Sequence, residues 1–214
     1  MSQAPGGLLL IRHGESQSVV RLASETVLPD PENPLTERGR AQAEALAEHL
    51  TARFPNLTVI GSPLLRARET AATLAASLGV AVTIDERLAE RRLDRPPGTT
   101  TGDCAMMQLM TARAPERPLD FGESMAEHRA RAAATLAEIT PRCERGEMIA
   151  LVCHGGTIEH LLALALGLPL AATPLAYVRC ETARYHLLYR EEIFSGWRTW
   201  RLDGVNLGSR SGAG

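Results

Sequence analysis

The chain has 214 residues, and its 23 Lys+Arg against 25 Asp+Glu leave a formal charge of −2, which removes the strongly basic balance of a nucleic-acid binder. All 23 basic residues are Arg, so a Schiff-base lysine and a P-loop lysine are both absent, and pyridoxal and Walker-A chemistry are excluded. One domain of this length buries roughly 70% of its unfolded surface and needs no disulfide or metal staple.

The first apolar run, Leu8 to Ile11, has the length and aliphatic content of a buried strand; it meets Arg12 and His13 at once, and no basic segment precedes it, so it is not read as a signal peptide. Thr36 then caps a helix to Phe54, with Ala43, Leu46, Ala47, Leu50 and Phe54 on one face. Leu57 to Ile60 is the second strand. Ser62 as N-cap and Pro63 in the first turn open a second helix, which carries Arg66 and stops at Gly79. Val80 to Ile84 reads as a third strand. Asp94 to Gly122 breaks this rhythm with four prolines and a Met-rich patch, and reads as an insertion with a short helix over Cys104 to Arg113. Helices from Ser124 to Cys143 and from Thr157 to Leu166 flank a fourth strand, Met148 to Cys153. The longest apolar stretch, Leu161 to Ala172, is broken by Gly167 and Pro169 and falls short of the ~20 residues of a bilayer span. Tyr185 to Tyr189 and Trp197 to Leu202 form a terminal strand pair, with Trp197 and Trp200 on opposite faces, and residues 208–214 read as a tail.

Strand and helix alternate, so the expected fold is an α/β three-layer sandwich: a mainly parallel sheet with helices on both faces, in one domain over residues 1–207. The cysteines, Cys104, Cys143, Cys153 and Cys180, form no CxxC pair and read as reduced structural thiols in a cytosolic setting.

Chemistry gathers where the strands end. The first runs into Arg12-His13-Gly14-Glu15-Ser16, the second through Ser62 to Arg66, the third to Glu90, and the fourth into His154-Gly155-Gly156. In open parallel sheets ligands bind beyond the carboxyl ends of strands, so two Arg, two His and one Glu can meet in one pocket. Such a set performs phosphoryl transfer without a metal: guanidiniums clamp the phosphoryl oxygens and an imidazole offers an in-line nitrogen nucleophile. Glu90 is the candidate general acid and base, and His154 a donor to a phosphoryl oxygen. A metal site is the weaker reading, because no HExxH or His-rich cluster is present and adjacent Arg repels a divalent cation. His49, His128, His160 and His186 follow no strand end and are read as surface or packing residues.

At these residues the sequence resembles the histidine phosphatase superfamily, the phosphoglycerate-mutase-like group. Arg12 to Ser16 matches its opening RHG-E-S/T motif; Leu35 to Gly39 with Gln42-Ala43 is similar to LTxxGxxQA; Ser62 to Ala67 with Thr70-Ala71 is similar to SxLxRAxxTA. Leu88-Ala89-Glu90, Gly122-Glu123-Ser124 and His154-Gly155-Gly156 follow in order. The resemblance implies His13 as the phosphorylated nucleophile, Arg12, Arg66 and His154 as the phosphate pocket with Ser16 and Gly155 beside them, Glu90 as proton donor, and no metal or organic cofactor.

Three departures stand out. Val19 occupies a position where many members have Asn. Glu159 replaces an Arg after HGGxx, and repels an anionic substrate if it faces the pocket. Arg91-Arg92-Leu93-Asp94-Arg95 replaces a Gly-containing stretch, and Arg91 and Arg92 would draw a substrate with a second anionic group. The expected activity is phosphomonoester hydrolysis of a small phosphorylated metabolite, with no nucleic-acid or membrane partner and with a homo-oligomer as compatible as a monomer. Mutase-type transfer under a lid formed by the insertion is the alternative, and a phosphate-binding module without catalysis the third reading.

Overall fold

β1 (Gly7–Arg12) lies fourth in a six-stranded sheet, after β3 (Val82–Ile84), β2 (Leu57–Gly61) and β4 (Met148–Cys153) and before β5 (Tyr185–Phe194) and β6 (Trp197–Leu207). The computed structural model describes residues 6–17, 33–92, 116, 122–170 and 178–208. Val19, the tail 209–214 and nearly all of the expected insertion with its short helix lie outside those residues.

β2, β3 and β4 run parallel to β1, with β4 between β2 and β1. β5 is antiparallel to β1 and forms a hairpin with β6, longer at its tip and its end than the sequence pattern indicates.

Strand alternation builds two cores. Leu8, Leu10, Ile149, Leu151 and Cys153 point to one face, where α3 (Met125–Glu144) and α4 (Gly155–Ala165) supply Leu136, Ile139, Ile158 and Leu161. Leu9, Ile11, Ala150 and Val152 point to the other, where α1 (Glu37–Arg53) and α2 (Leu65–Leu78) supply Leu46, Leu50, Ala71 and Leu74. With both faces covered, the central strands are apolar throughout, which is why they read as continuous runs. Trp200 packs on the first core, while Trp197, at the hairpin tip, is exposed.

Helix starts follow local chemistry. The Thr36 side chain accepts from Gly39 N–H to cap α1, and Ser124 and Glu127 form a reciprocal capping box on α3. Gly79, in the left-handed region at φ 69°, ends α2. Ser62, however, is not the N-cap of α2: the helix begins at Leu65, and the Ser62 hydroxyl turns to the sheet edge instead. α4 begins at Gly155, two residues before the Thr157 expected from the pattern, because the two glycines show no periodic apolar side chain. Among the described residues, no helix is long and apolar enough to cross a membrane.

Candidate functional site

The carboxyl ends of β1, β4 and β2 are adjacent, so three loops leave the sheet side by side. His13 N–H bonds the Cys153 carbonyl at 3.0 Å, and Ser62 N–H bonds the Val152 carbonyl at 2.9 Å, which sets His13, His154 and Ser62 in a row along the sheet edge. The His13 and His154 rings are 5.1 Å apart between centroids. Arg66, in the first turn of α2 and 4% exposed, reaches His13 from above.

The hydrogen bonds fix the tautomer of His13. Nδ1 of His13 lies 2.7 Å from the Gly14 carbonyl, which can only accept, so Nδ1 carries the proton. Nε2 is then a bare lone pair, and Arg66 Nε donates to it at 3.2 Å. Burial, helped by the Arg66 charge and opposed by the Gly14 carbonyl, lowers the His13 pKa to about 3, so the ring is neutral at ordinary pH. In His154, Nε2 lies 2.8 Å from the Ser62 hydroxyl oxygen, which also accepts from Leu64 N–H at 3.3 Å. Its other ring nitrogen, Nδ1, is buried and has no partner among the described residues. Burial, and then the neighbouring His13 and Arg66, hold His154 well below the usual imidazole range.

Arg12 lies over Gly155; a Cβ built there would be 3.8 Å from Cζ of Arg12. Its Nη1 donates to the Cys180 carbonyl at 2.9 Å, and its main chain pairs with Ala183 and Arg184, so the turn before β5 braces the end of β1. Nε of Arg12 is buried and has no partner among the described residues. The result is an unprotonated imidazole nitrogen, two guanidiniums and a second buried imidazole gathered at one sheet edge, a set suited to a tetrahedral oxyanion.

The motif residues outside this set hold the nucleophile loop. Gly14 N–H donates to Thr70 Oγ1 at 3.1 Å, and Thr70 in turn donates to the Arg66 carbonyl at 2.8 Å, tying His13 and Arg66 to one hydroxyl. Glu15 N–H donates to Gln42 Oε1 at 2.8 Å, while the Glu15 carbonyl accepts from Thr36 N–H at 3.0 Å. Gly39 makes this approach feasible, since a Cβ there would stand 1.9 Å from the Glu15 carbonyl oxygen. Ser16 is fully buried and bridges to Leu35.

Glu90 follows a 3-10 turn, Glu86–Leu88, that the sequence pattern does not reveal. Oε2 of Glu90 accepts from Gly156 N–H at 3.0 Å, at the start of α4, and Oε1 accepts from Arg91 N–H at 2.9 Å. The side chain is 25% exposed. Arg131 was not singled out in the sequence, yet it fastens this segment. It grips Glu123 through Nε at 2.6 Å and Nη2 at 2.7 Å, and donates from Nη1 to the carbonyls of Arg87 and Ala89. Glu123 lies just before the N-cap of α3 and Arg131 eight residues on, in its second turn, a spacing that marks neither in the sequence.

Arg91 turns inward, donating from Nε to the Glu123 carbonyl at 2.7 Å, whereas Arg92 is exposed and its main chain pairs with Glu123. Glu159 stands on α4 one turn after Gly155 and Gly156, on the face that carries Arg12 and Glu90. The residue is exposed as a whole, yet desolvation and the Glu90 charge hold its carboxyl above the usual carboxylate range, with Arg12 opposing. His128 and His160, expected as surface or packing residues, are buried beside Glu90; His186 is buried in β5, and His49 reaches the Tyr185 hydroxyl at 3.2 Å. Among the described residues, no three His, Cys, Asp or Glu side chains are grouped so as to hold a metal ion.

The model of the histidine phosphatase superfamily (branch 1) matches residues 8–198. A glucosyl-3-phosphoglycerate phosphatase of Mycobacterium tuberculosis is 33% identical over 178 residues, 78% of each chain. A probable phosphoglycerate mutase GpmB of Enterobacter sp. (strain 638) is 30% identical over 198 residues, 88% of each chain. The solved structure of the mycobacterial glucosyl-3-phosphoglycerate phosphatase with VO3 has a TM-score of 0.76 at 31% identity, covering 94% of this chain and 98% of that one. Its complex with inorganic phosphate has a TM-score of 0.75 at 29% identity, covering 95% and 98%. With its six-stranded, mainly parallel sheet between two helical layers and the motif residues gathered at one sheet edge, the chain belongs to the histidine phosphatase superfamily, branch 1.

Proposed function

We propose that this protein is a metal-independent phosphomonoester phosphatase that works through a phosphohistidine on His13. The observation that carries the reading is the His13 ring: Nδ1–H is tied to the Gly14 carbonyl and the Nε2 lone pair faces the Arg66 guanidinium. A nitrogen held unprotonated and neutral beside cationic donors is suited to attack phosphorus once the Arg66 N–H turns from it to a phosphoryl oxygen.

In the first step Nε2 of His13 forms a bond to phosphorus as the phosphorus–oxygen ester bond breaks, and protonated Glu90 gives its proton to the departing alkoxide. In the second, the Glu90 carboxylate takes a proton from a water whose oxygen attacks phosphorus. The phosphorus–nitrogen bond then breaks and inorganic phosphate leaves. Arg12, Arg66 and His154 hold the phosphoryl oxygens, with the backbone of Gly155 under Arg12 and the buried Ser16 in the loop behind His13. The charge that builds on the equatorial oxygens is met by fixed donors, the role a cation plays in other phosphoryl-transfer sites. Complexes of the mycobacterial relative with VO3 and with inorganic phosphate support a tetrahedral or trigonal oxyanion as ligand of this kind of site.

The substrate class is a small phosphorylated metabolite. Exposed Arg92 favours a second anionic group and Glu159 opposes one, so the proposal does not require it. Mutase-type transfer is the second reading, favoured by the relative named as a probable mutase; it differs in returning the phosphoryl group to an acceptor other than water. The test is hydrolysis of an activated aryl phosphate in excess chelator, wild type beside His13→Ala. Metal-free turnover lost in the variant is expected. Turnover that disappears with chelator and returns with a divalent ion, or that persists in His13→Ala, would overturn the reading.

A further inference from the structure

His128 stands on the first turn of α3, 1% exposed, with His160 of α4 set edge to face against it at 4.8 Å and 83°. Its Nε2 is 3.0 Å from Oγ1 of Thr157 and 3.8 Å from Oε1 of Glu90. Thr157 Oγ1 in turn lies 3.2 Å from the carbonyl of Ala89, the residue before Glu90. That carbonyl can only accept, so the Thr157 hydroxyl proton goes to it and Nε2 of His128 must donate to Thr157. The Glu90 carboxylate on the other side of Nε2 favours the same tautomer. Desolvation, with the Arg131 charge adding to it, lowers the His128 pKa to about 4, so the group is a neutral donor at ordinary pH.

A leucine would fill this space without a polar atom to satisfy, and burying an imidazole here is costly unless its proton does something. The proton lies between the hydroxyl that holds the Ala89 carbonyl and the buried flank of the Glu90 carboxyl. The Ala89 carbonyl therefore has two donors: Arg131 Nη1 at 3.1 Å and Thr157. The carboxyl itself is held by two backbone N–H groups, on Gly156 and Arg91. Thr157 follows Gly156 directly on α4, so the atom that anchors the residue before Glu90 and the atom that anchors its carboxyl move as one unit, and His128 fixes that unit to α3.

Resting on the phosphatase reading above, we propose that His128, backed by His160, is a positioning residue that aims the Glu90 carboxyl at the leaving-group oxygen through Thr157 and the Ala89 carbonyl. It acts on proton transfer to the leaving group, and leaves the hold of Arg12, Arg66 and His154 on the phosphoryl group as it is. Its loss is felt in proportion to how badly the leaving group needs a proton.

The experiment compares wild type, His128→Leu, His128→Gln and Thr157→Val on an alkyl phosphate and an activated aryl phosphate, with melting curves for each. His128→Leu should lower kcat on the alkyl ester by about 10- to 100-fold, the cost of a catalytic group displaced by a fraction of an ångström to an ångström, with KM unchanged. The aryl ester should lose less than about threefold, since its leaving group needs little protonation. His128→Gln, whose amide N–H reaches the position of Nε2, should recover most of the alkyl activity. Thr157→Val, a change of near-equal volume, should reproduce the leaving-group-selective loss even if His128→Leu does not fold. Equal losses on both esters, or no loss in folded His128→Leu and Thr157→Val, would overturn the positioning role while leaving the phosphatase reading intact. Failure of wild type to hydrolyse either ester would overturn the phosphatase reading, and this proposal with it.

Discussion

Replacing Gly39 by alanine tests how the nucleophile loop is held, because the clash is between two stretches of backbone. The added Cβ would stand 1.9 Å from the Glu15 carbonyl oxygen, 2.8 Å from its carbon and 3.0 Å from Glu15 N, where ordinary contact begins at 3.4 Å. Neither partner is the tip of a flexible side chain, so α1 and the loop 13–15 must part by about 1.5 Å. That separation breaks the Thr36 N–H bond to the Glu15 carbonyl and the Glu15 N–H bond to Gln42. Two such bonds and the residual strain amount to about 2–4 kcal/mol, within the stability of an ordinary domain. The melting temperature should fall by about 5–15 °C for a chain of this size. His13 moves with the loop, and a displacement near an ångström costs about 100-fold in turnover. Because the fault lies in the attack on phosphorus, alkyl and aryl phosphates should suffer alike, as measured by kcat/KM at a temperature where the variant is folded. A Gly39→Ala variant with wild-type melting and turnover would refute the claim that this close approach sets the nucleophile.

Arg66→Ala removes the donor facing Nε2 of His13 and should lower kcat/KM on both esters by about 10²- to 10³-fold; a loss confined to alkyl esters would move Arg66 out of the clamp. Glu90→Gln should slow alkyl esters by about 10²- to 10⁴-fold and aryl esters much less, and equal losses would remove Glu90 from the acid role. His13, His128 and His160 sit at about 3, 4 and 4 in the folded protein against 6.5 for an unperturbed imidazole, so below pH 6.5 the unfolded chain binds more protons. Stability should therefore fall as pH drops from 6.5 towards 4, by up to about 1.4 kcal/mol per pH unit for each ring, and denaturant titrations that are flat over this range would contradict the burial of these rings. Glu159→Gln should raise kcat/KM for a phosphoester with a second anionic group by about two- to fivefold and leave a singly anionic one unchanged; an equal effect on both would remove Glu159 from the rim of the pocket.

The central sheet and its helices were legible because strands buried on both faces read as continuous apolar runs, and because Thr36, Ser124 and Gly79 mark helix ends by their own chemistry. That Arg12, His13, Arg66, Glu90 and His154 come together was legible for a topological reason: each lies at or beyond the end of a parallel strand, and neighbouring strand ends deliver them to one place. What stayed hidden acts through tertiary contact. Ser62 looks like a helix cap, but its hydroxyl is spent on His154, a choice decided by the adjacency of β2 and β4. Arg131 and His128 follow no strand and belong to no motif; they matter because α3 lies against the turn that carries Glu90, and no periodicity encodes that contact. Whether Glu159 faces the pocket turned on where α4 begins, which two glycines concealed.

A phosphohistidine on His13 is sought by rapid quench during turnover of a labelled phosphoester, in wild type and in His13→Ala. A phosphoenzyme labile to acid and stable to base is expected, formed and consumed at rates that support turnover, with the label on the peptide containing His13 and absent from the variant. Turnover with no phosphoenzyme, or a label stable to acid and lost in base, would contradict a phosphohistidine at this position.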